Sequence, residues 1–197
     1  WSSDVCSSDL LELSSRVFIT TNLAAAAAAT VTMVLTWVKY GKPDVSMSLN
    51  GVLAGLVAIT AGCDVVSPLG AAIIGVISAF AMVYGIEFVD KVLKVDDPVG
   101  AVGVHCINGV VGTILTGVFA MDGGLFYGGG FKFLGVQCLG VAAVAIWSVA
   151  TATILFKGIK ATIGLRVTRE EEIRGLDIEE HGLESSYADF QSVDINM

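Results

Sequence analysis

The chain has 197 residues, 54% of them hydrophobic and 15% charged, with a mean hydropathy of +0.78 and a formal net charge of −8. A water-soluble domain of this size cannot hide several helices that are apolar all round, because too little polar chain remains to cover them. Composition therefore excludes an ordinary soluble protein and indicates a membrane chain, for which no nucleic-acid partner is expected.

Residues Trp1 to Leu10 (WSSDVCSSDL) are polar, serine-rich and unlike the neighbouring apolar sequence. They contain neither an initiator methionine nor the basic, apolar and small-residue sequence of a secretory signal. Residues 1–10 are read as a non-native leader in front of a fragment and are set aside from fold reasoning. Residues 11–164 form the membrane domain.

Crossing about 30 Å of hydrocarbon takes roughly 20 apolar residues as a helix. Five runs qualify, over residues 18–38, 49–66, 69–88, 99–119 and 134–156. The expected fold class is an all-α membrane protein, a bundle of five transmembrane helices. The second run is the shortest and carries Asn50 at its start and Asp64 near its end, so a short buried span and a broken helix both fit. Turn residues separate the runs: Gly41, Pro43 and Asp44, then Ser67 and Pro68, then Asp96 to Pro98, then the glycine-rich stretch from Asp122 to Gly130.

Nine of the eleven Lys and Arg residues follow the first, third and fifth spans: Lys39, Lys42, Lys91, Lys94, Lys157, Lys160, Arg166, Arg169 and Arg174. Only Arg16 and Lys132 fall on the other side. Basic flanks stay on the cytoplasmic side, so the amino end is expected outside and the tail inside. Small residues recur at helix-contact spacing in Gly51 with Gly55, Gly75 with Ala79, and Gly109, Thr113 and Gly117, which predicts close packing between helices.

His105 is the only acidic or basic side chain between Asp97 and Asp122, which places it mid-span in the fourth of five helices. A histidine there is costly enough to be read as functional. The four cysteines, Cys6, Cys63, Cys106 and Cys138, have no paired spacing, so neither a metal site nor a cofactor is expected. A haem ligated by His105 would need a second ligand on a facing span. From Gly164 onward the sequence turns polar, with nine acids and three arginines. Residues 165–197 are read as a cytosolic acidic tail, with Thr168 and the glutamates Glu170 to Glu172 opening a short capped helix that stops at Gly175.

The segments VDDPVGAVGVHCINGVVGTILTGVF, LNGVLAGLVAITAGCDVVSPLGAAIIGVISA and GLRVTREEEIRGLDIEEHGLESSY together resemble the carboxy-terminal half of the ammonium transporter family (Amt/Mep/Rh) over about residues 17–190. The resemblance implies a plasma-membrane homotrimer of eleven-span subunits, each with a pore between inverted repeats, to which this chain would supply spans seven to eleven. It assigns His105 to a pair of pore histidines and Thr60 to the outer half of the pathway. The other histidine and the outer aromatic gate would lie outside this chain, and the fragment would not transport alone. It also implies a signalling protein of the PII type at the tail. Ammonium transport is thus the expected function and catalysis is not; another inverted-repeat secondary transporter is the alternative.

Overall fold

A computed structural model describes residues 3–182. It is helical throughout: α1 (Ser3–Tyr40), α2 (Val45–Ile59), α3 (Pro68–Glu87), a π-helical segment (Phe88–Leu93), a second π segment (Val102–Ile107) continuing into α4 (Asn108–Phe119), α5 (Phe131–Thr162), and the short α6 (Arg169–Arg174) and α7 (Leu176–His181). The chain divides into two compact units between Val144 and Ala145.

The elements begin where local chemistry permits. Asp44 caps α2, its carboxylate accepting from the Met47 N–H at 2.9 Å, and Ser67 caps α3 ahead of Pro68, accepting from Gly70 N–H at 3.1 Å. Four helical stretches among the described residues are long and apolar enough to cross a membrane: 9–40, 68–93, 102–119 and 131–162. The second predicted span differs. The run over 49–66 folds as the 15-residue α2, followed by successive turns from Thr60 to Val65. Of the two possibilities for this run, the helix ends early.

The other boundaries move outward. The first helix runs over 3–40 rather than 18–38, so it takes in residues 3–10, which were set aside from fold reasoning. The third span runs on past residue 88 through the π segment to Leu93, and the fifth extends to 131–162. Once the apolar helix has nucleated, weakly favouring residues beside it extend it at no more than about 0.7 kcal/mol each, which hydropathy alone does not register. The fourth span is not one regular helix, because its first six residues take the wider π geometry.

In the first unit α1 packs on α2 and α3, and α2 and α3 both pack on α4 and the π segment before it. Small residues set these contacts. A Cβ at Gly55 would stand 2.6 Å from the Ala24 carbonyl oxygen, and Cβ atoms at Gly75 and Gly112 would collide with the backbone oxygens of Ala24 and Ala58. Gly117 packs similarly against Leu134. Gly109 differs, with only Val57 in reach at 4.0 Å, and Thr113 spends its hydroxyl on its own helix at the Gly109 carbonyl. Gly112 makes its close contact although it lies outside the four-residue spacing of Gly109, Thr113 and Gly117.

Hydrogen bonds fix which helix ends share a side. Lys39 and Tyr40 at the end of α1 meet Glu87 at the end of α3, and Asn50 near the start of α2 meets Val99 ahead of the fourth span. At the other end the buried Thr20 hydroxyl donates to the Cys63 carbonyl at 2.6 Å, and Met121 N–H to the Val65 carbonyl at 2.9 Å. The first four helices therefore alternate in direction, and Lys39, Lys91 and the Asn50–Val99 link lie at one end.

Candidate functional site

The approach to His105 is built from backbone outward. After the third span the chain turns through Asp97 to Gly100, where Gly100 has φ +73°, and a Cβ there would press on Ile86 and Asn50. Asp97 then caps the fourth span with both carboxylate oxygens, accepting from Ala101 N–H at 2.8 Å and Val102 N–H at 2.9 Å. Two N–H groups that no helix carbonyl reaches are satisfied this way. The Asn50 amide donates to the Val99 carbonyl at 3.1 Å, tying this turn to α2. Asp44, Ser46, Asn50, Ile86, Asp97 and Gly100 line a cleft of about 450 Å³ at this end.

His105 lies in the π segment, the opening of the fourth span rather than its middle. Apolar run length sets the expected midpoint, but the turn through Gly100 delays the helix to Val102 and moves the histidine toward one end. Its neighbours Gly103 and Val104 are buried, whereas His105 and Cys106 are exposed on the surface of the first unit. No hydrogen bond among the described residues engages the imidazole.

Thr60 is the C-cap of α2, exposed, with its hydroxyl donating to the Leu56 carbonyl at 2.7 Å. The hydroxyl oxygen keeps lone pairs with which to accept from a passing N–H donor. The structure does not bring Thr60 and His105 together. α2 and α4 run in parallel, with Val57 beside Gly109, Ala58 against Gly112 and Gly62 beside Thr116. That register sets Thr60 about nine residues further along than His105, roughly 13 Å at 1.5 Å per helical residue. The two residues belong to different depths of one bundle.

Asn108 was not singled out from the sequence. It is fully buried, donates its side-chain amide to the Gly103 carbonyl at 2.9 Å, and leaves its Oδ1 without a partner. The available signal was an amide side chain three residues after His105 inside an apolar run. Among the described residues no three His, Cys, Asp or Glu side chains converge as metal ligands.

A sequence model of the Ammonium Transporter Family matches residues 5–187. The chain is 44% identical over 174 residues to the ammonium transporter Amt2 of Archaeoglobus fulgidus, covering 82% of this chain and 36% of that protein. It is 40% identical over 184 residues to an ammonium transporter of Mycobacterium tuberculosis, covering 86% and 38%. Among solved structures it is similar to one named Sensor Amt Protein, at 37% identity and a TM-score of 0.78 over 85% of this chain and 42% of that one. It is also similar to Mep2 of Candida albicans, at 29% identity and a TM-score of 0.73 over 79% and 37%. The chain spans less than half the length of these relatives. With its apolar helices, alternating directions and close glycine contacts, this multi-pass membrane protein belongs to the ammonium transporter family.

Proposed function

We propose that this chain forms part of a pathway carrying ammonium or ammonia across the plasma membrane, with His105 as the hydrogen-bonding and proton-relaying side chain in it. The observation that carries the reading is an exposed imidazole, free of hydrogen bonds to the described residues, in a π segment of an otherwise apolar span. Moving a bare ammonium ion into hydrocarbon costs tens of kcal/mol in the Born limit, whereas neutral ammonia crosses at far lower cost. A neutral imidazole can accept a proton or hydrogen bond at one nitrogen and donate at the other, so it suits a species that must shed and regain a proton. Thr60, further along the bundle, is proposed to accept from the same substrate.

In this reading the transporter is a homotrimer with the amino end outside and the tail cytoplasmic, an orientation supported by Lys39 and Lys91 lying at one end. The acidic segment from residue 165 is proposed as a regulatory tail that receives a PII-type protein; its residues 183–197 lie outside the described residues. Transport is proposed to require the rest of the relatives' length. Uptake of labelled methylammonium by the full-length protein tests the reading. His105→Ala at matched membrane abundance should lower uptake or change its ion selectivity, and wild-type behaviour in both would refute the role of His105.

A further inference from the structure

Asn108 presents an energetic puzzle that packing does not solve. Its side chain is fully buried, and Oδ1 has no partner. A buried acceptor left unmade costs about 1–3 kcal/mol, and an apolar side chain of similar volume would avoid that cost. The compensating gain has to come from its other contacts. The side chain has one, beside His105: its amide donates to the Gly103 carbonyl at 2.9 Å, while the backbone N–H, which any residue here would keep, donates to the His105 carbonyl. A regular α-helix would direct the Asn108 N–H to Val104, four residues back. Here it closes a tighter turn, and the side chain serves the carbonyl five residues back. The side-chain bond occupies the Gly103 carbonyl, five residues back as in π geometry, and so ties the π segment Val102–Ile107 to the start of α4, with Val104 buried and His105 exposed. π-bulges of this kind recur at functional sites, because they re-aim side chains that a regular helix would aim elsewhere.

We propose that Asn108 is the positioning residue for His105, fixing the π segment so that the imidazole faces the transported species. The inference rests on the pathway role proposed for His105. Asn108 does not touch substrate; it acts through the backbone on either side of the histidine. Removing its amide lets residues 103–108 relax toward regular helix, which rotates His105 away from its present face.

The test uses the full-length transporter, with Asn108→Leu and Asn108→Ser each made alone and combined with His105→Ala. Methylammonium uptake is measured across the range of imidazole titration, about pH 5 to 8, together with selectivity over potassium at matched membrane abundance. Leucine removes the donor but is larger than asparagine and can overpack this buried site. Serine keeps the test open if leucine disturbs packing, because a helical serine bonds its own i−4 carbonyl, at Val104, and does not reach Gly103. Either substitution should lower uptake about tenfold or more, since an ångström of misplacement is worth up to about a hundredfold. It should also shift the pH profile or the selectivity, and add little in the His105→Ala background. A uniform loss with wild-type pH profile and selectivity, or a loss that multiplies with that of His105→Ala, would overturn positioning. Wild-type transport by His105→Ala alone would instead remove the pathway role, so the two failures are separable.

Discussion

Lys39 at the end of α1 and Glu87 at the end of α3, 48 residues apart in sequence, form an ion pair that closes one end of the bundle. Glu87 also accepts from the Tyr40 hydroxyl at 2.8 Å and from Lys91 at 3.0 Å, while the Lys39 ammonium lies 4.4 Å from the centre of the Tyr84 ring. One carboxylate thus joins α1, α3 and the adjoining π segment. Its side chain is only 19% exposed, against 65% for Lys91. Glu87→Ala should therefore destabilise the protein by about 1–3 kcal/mol, as expected when a charged hydrogen-bonding hub is removed. Lys91→Ala should have almost no effect, as for most exposed pairs. Thermal unfolding in detergent micelles measures both, and equal effects would contradict the hub.

The glycine contacts predict opposite signs for one substitution at two kinds of site. Gly75→Ala and Gly112→Ala drive a methyl group into the backbone oxygens of Ala24 and Ala58, which cannot move aside cheaply. Each should cost about 1–3 kcal/mol, typical of overpacking. Gly109→Ala meets nothing nearer than 4.0 Å and should be neutral or gain up to about 1 kcal/mol of helix propensity. Midpoints of thermal unfolding for the three variants give the comparison.

The tail carries a pH dependence of known sign. The Thr168 hydroxyl and then its backbone N–H, both donating at 2.7 Å, hold the Glu171 carboxyl below its ordinary value of 4.5, and Glu171 N–H returns a bond to the Thr168 hydroxyl. A carboxyl whose native pKa is lowered stabilises the folded form above its ordinary pKa and loses that contribution as pH falls through the native value. The capping box of α6 should be intact at neutral pH and weaken below about pH 4.5, its ordinary value. Glu171→Gln should remove this acid dependence. Carbon chemical shifts of the labelled tail would follow helix content at Arg169–Arg174, and an unaltered acid transition in Glu171→Gln would assign it to another group.

Thr60 offers one acceptor and no charge. Thr60→Ser keeps the oxygen and should leave methylammonium uptake near wild type, while Thr60→Val should lower it by about 2–10-fold, the worth of a single hydrogen bond. Equal uptake by the two variants would separate Thr60 from the pathway.

Much of the fold was legible because membrane helices announce themselves by length and hydropathy, and because lysine placement fixes their alternation. The features that escaped were set by tertiary contacts. α2 stops at Ile59 because the turns after it are held from outside, by the Thr20 hydroxyl on the Cys63 carbonyl and by the Met121 N–H on the Val65 carbonyl. Hydropathy is blind to such bonds. The π segment carrying His105 was equally hidden, since Asp97 before it and Asn108 after it act through backbone partners that periodicity does not encode. His105 itself was readable from its cost in an apolar run. Asn108 was readable on the same ground, as an amide in that run, but its consequence appears only once its partner at Gly103 is known.

The central claim, that His105 carries ammonium or ammonia by hydrogen bonding and proton relay, is tested most directly by ion selectivity. The full-length transporter and its His105→Ala variant would be reconstituted in proteoliposomes and challenged with ammonium and with potassium. Loss of ammonium flux, or passage of potassium alongside it, is the expected result for His105→Ala. Ammonium flux and potassium exclusion both equal to wild type would contradict the account.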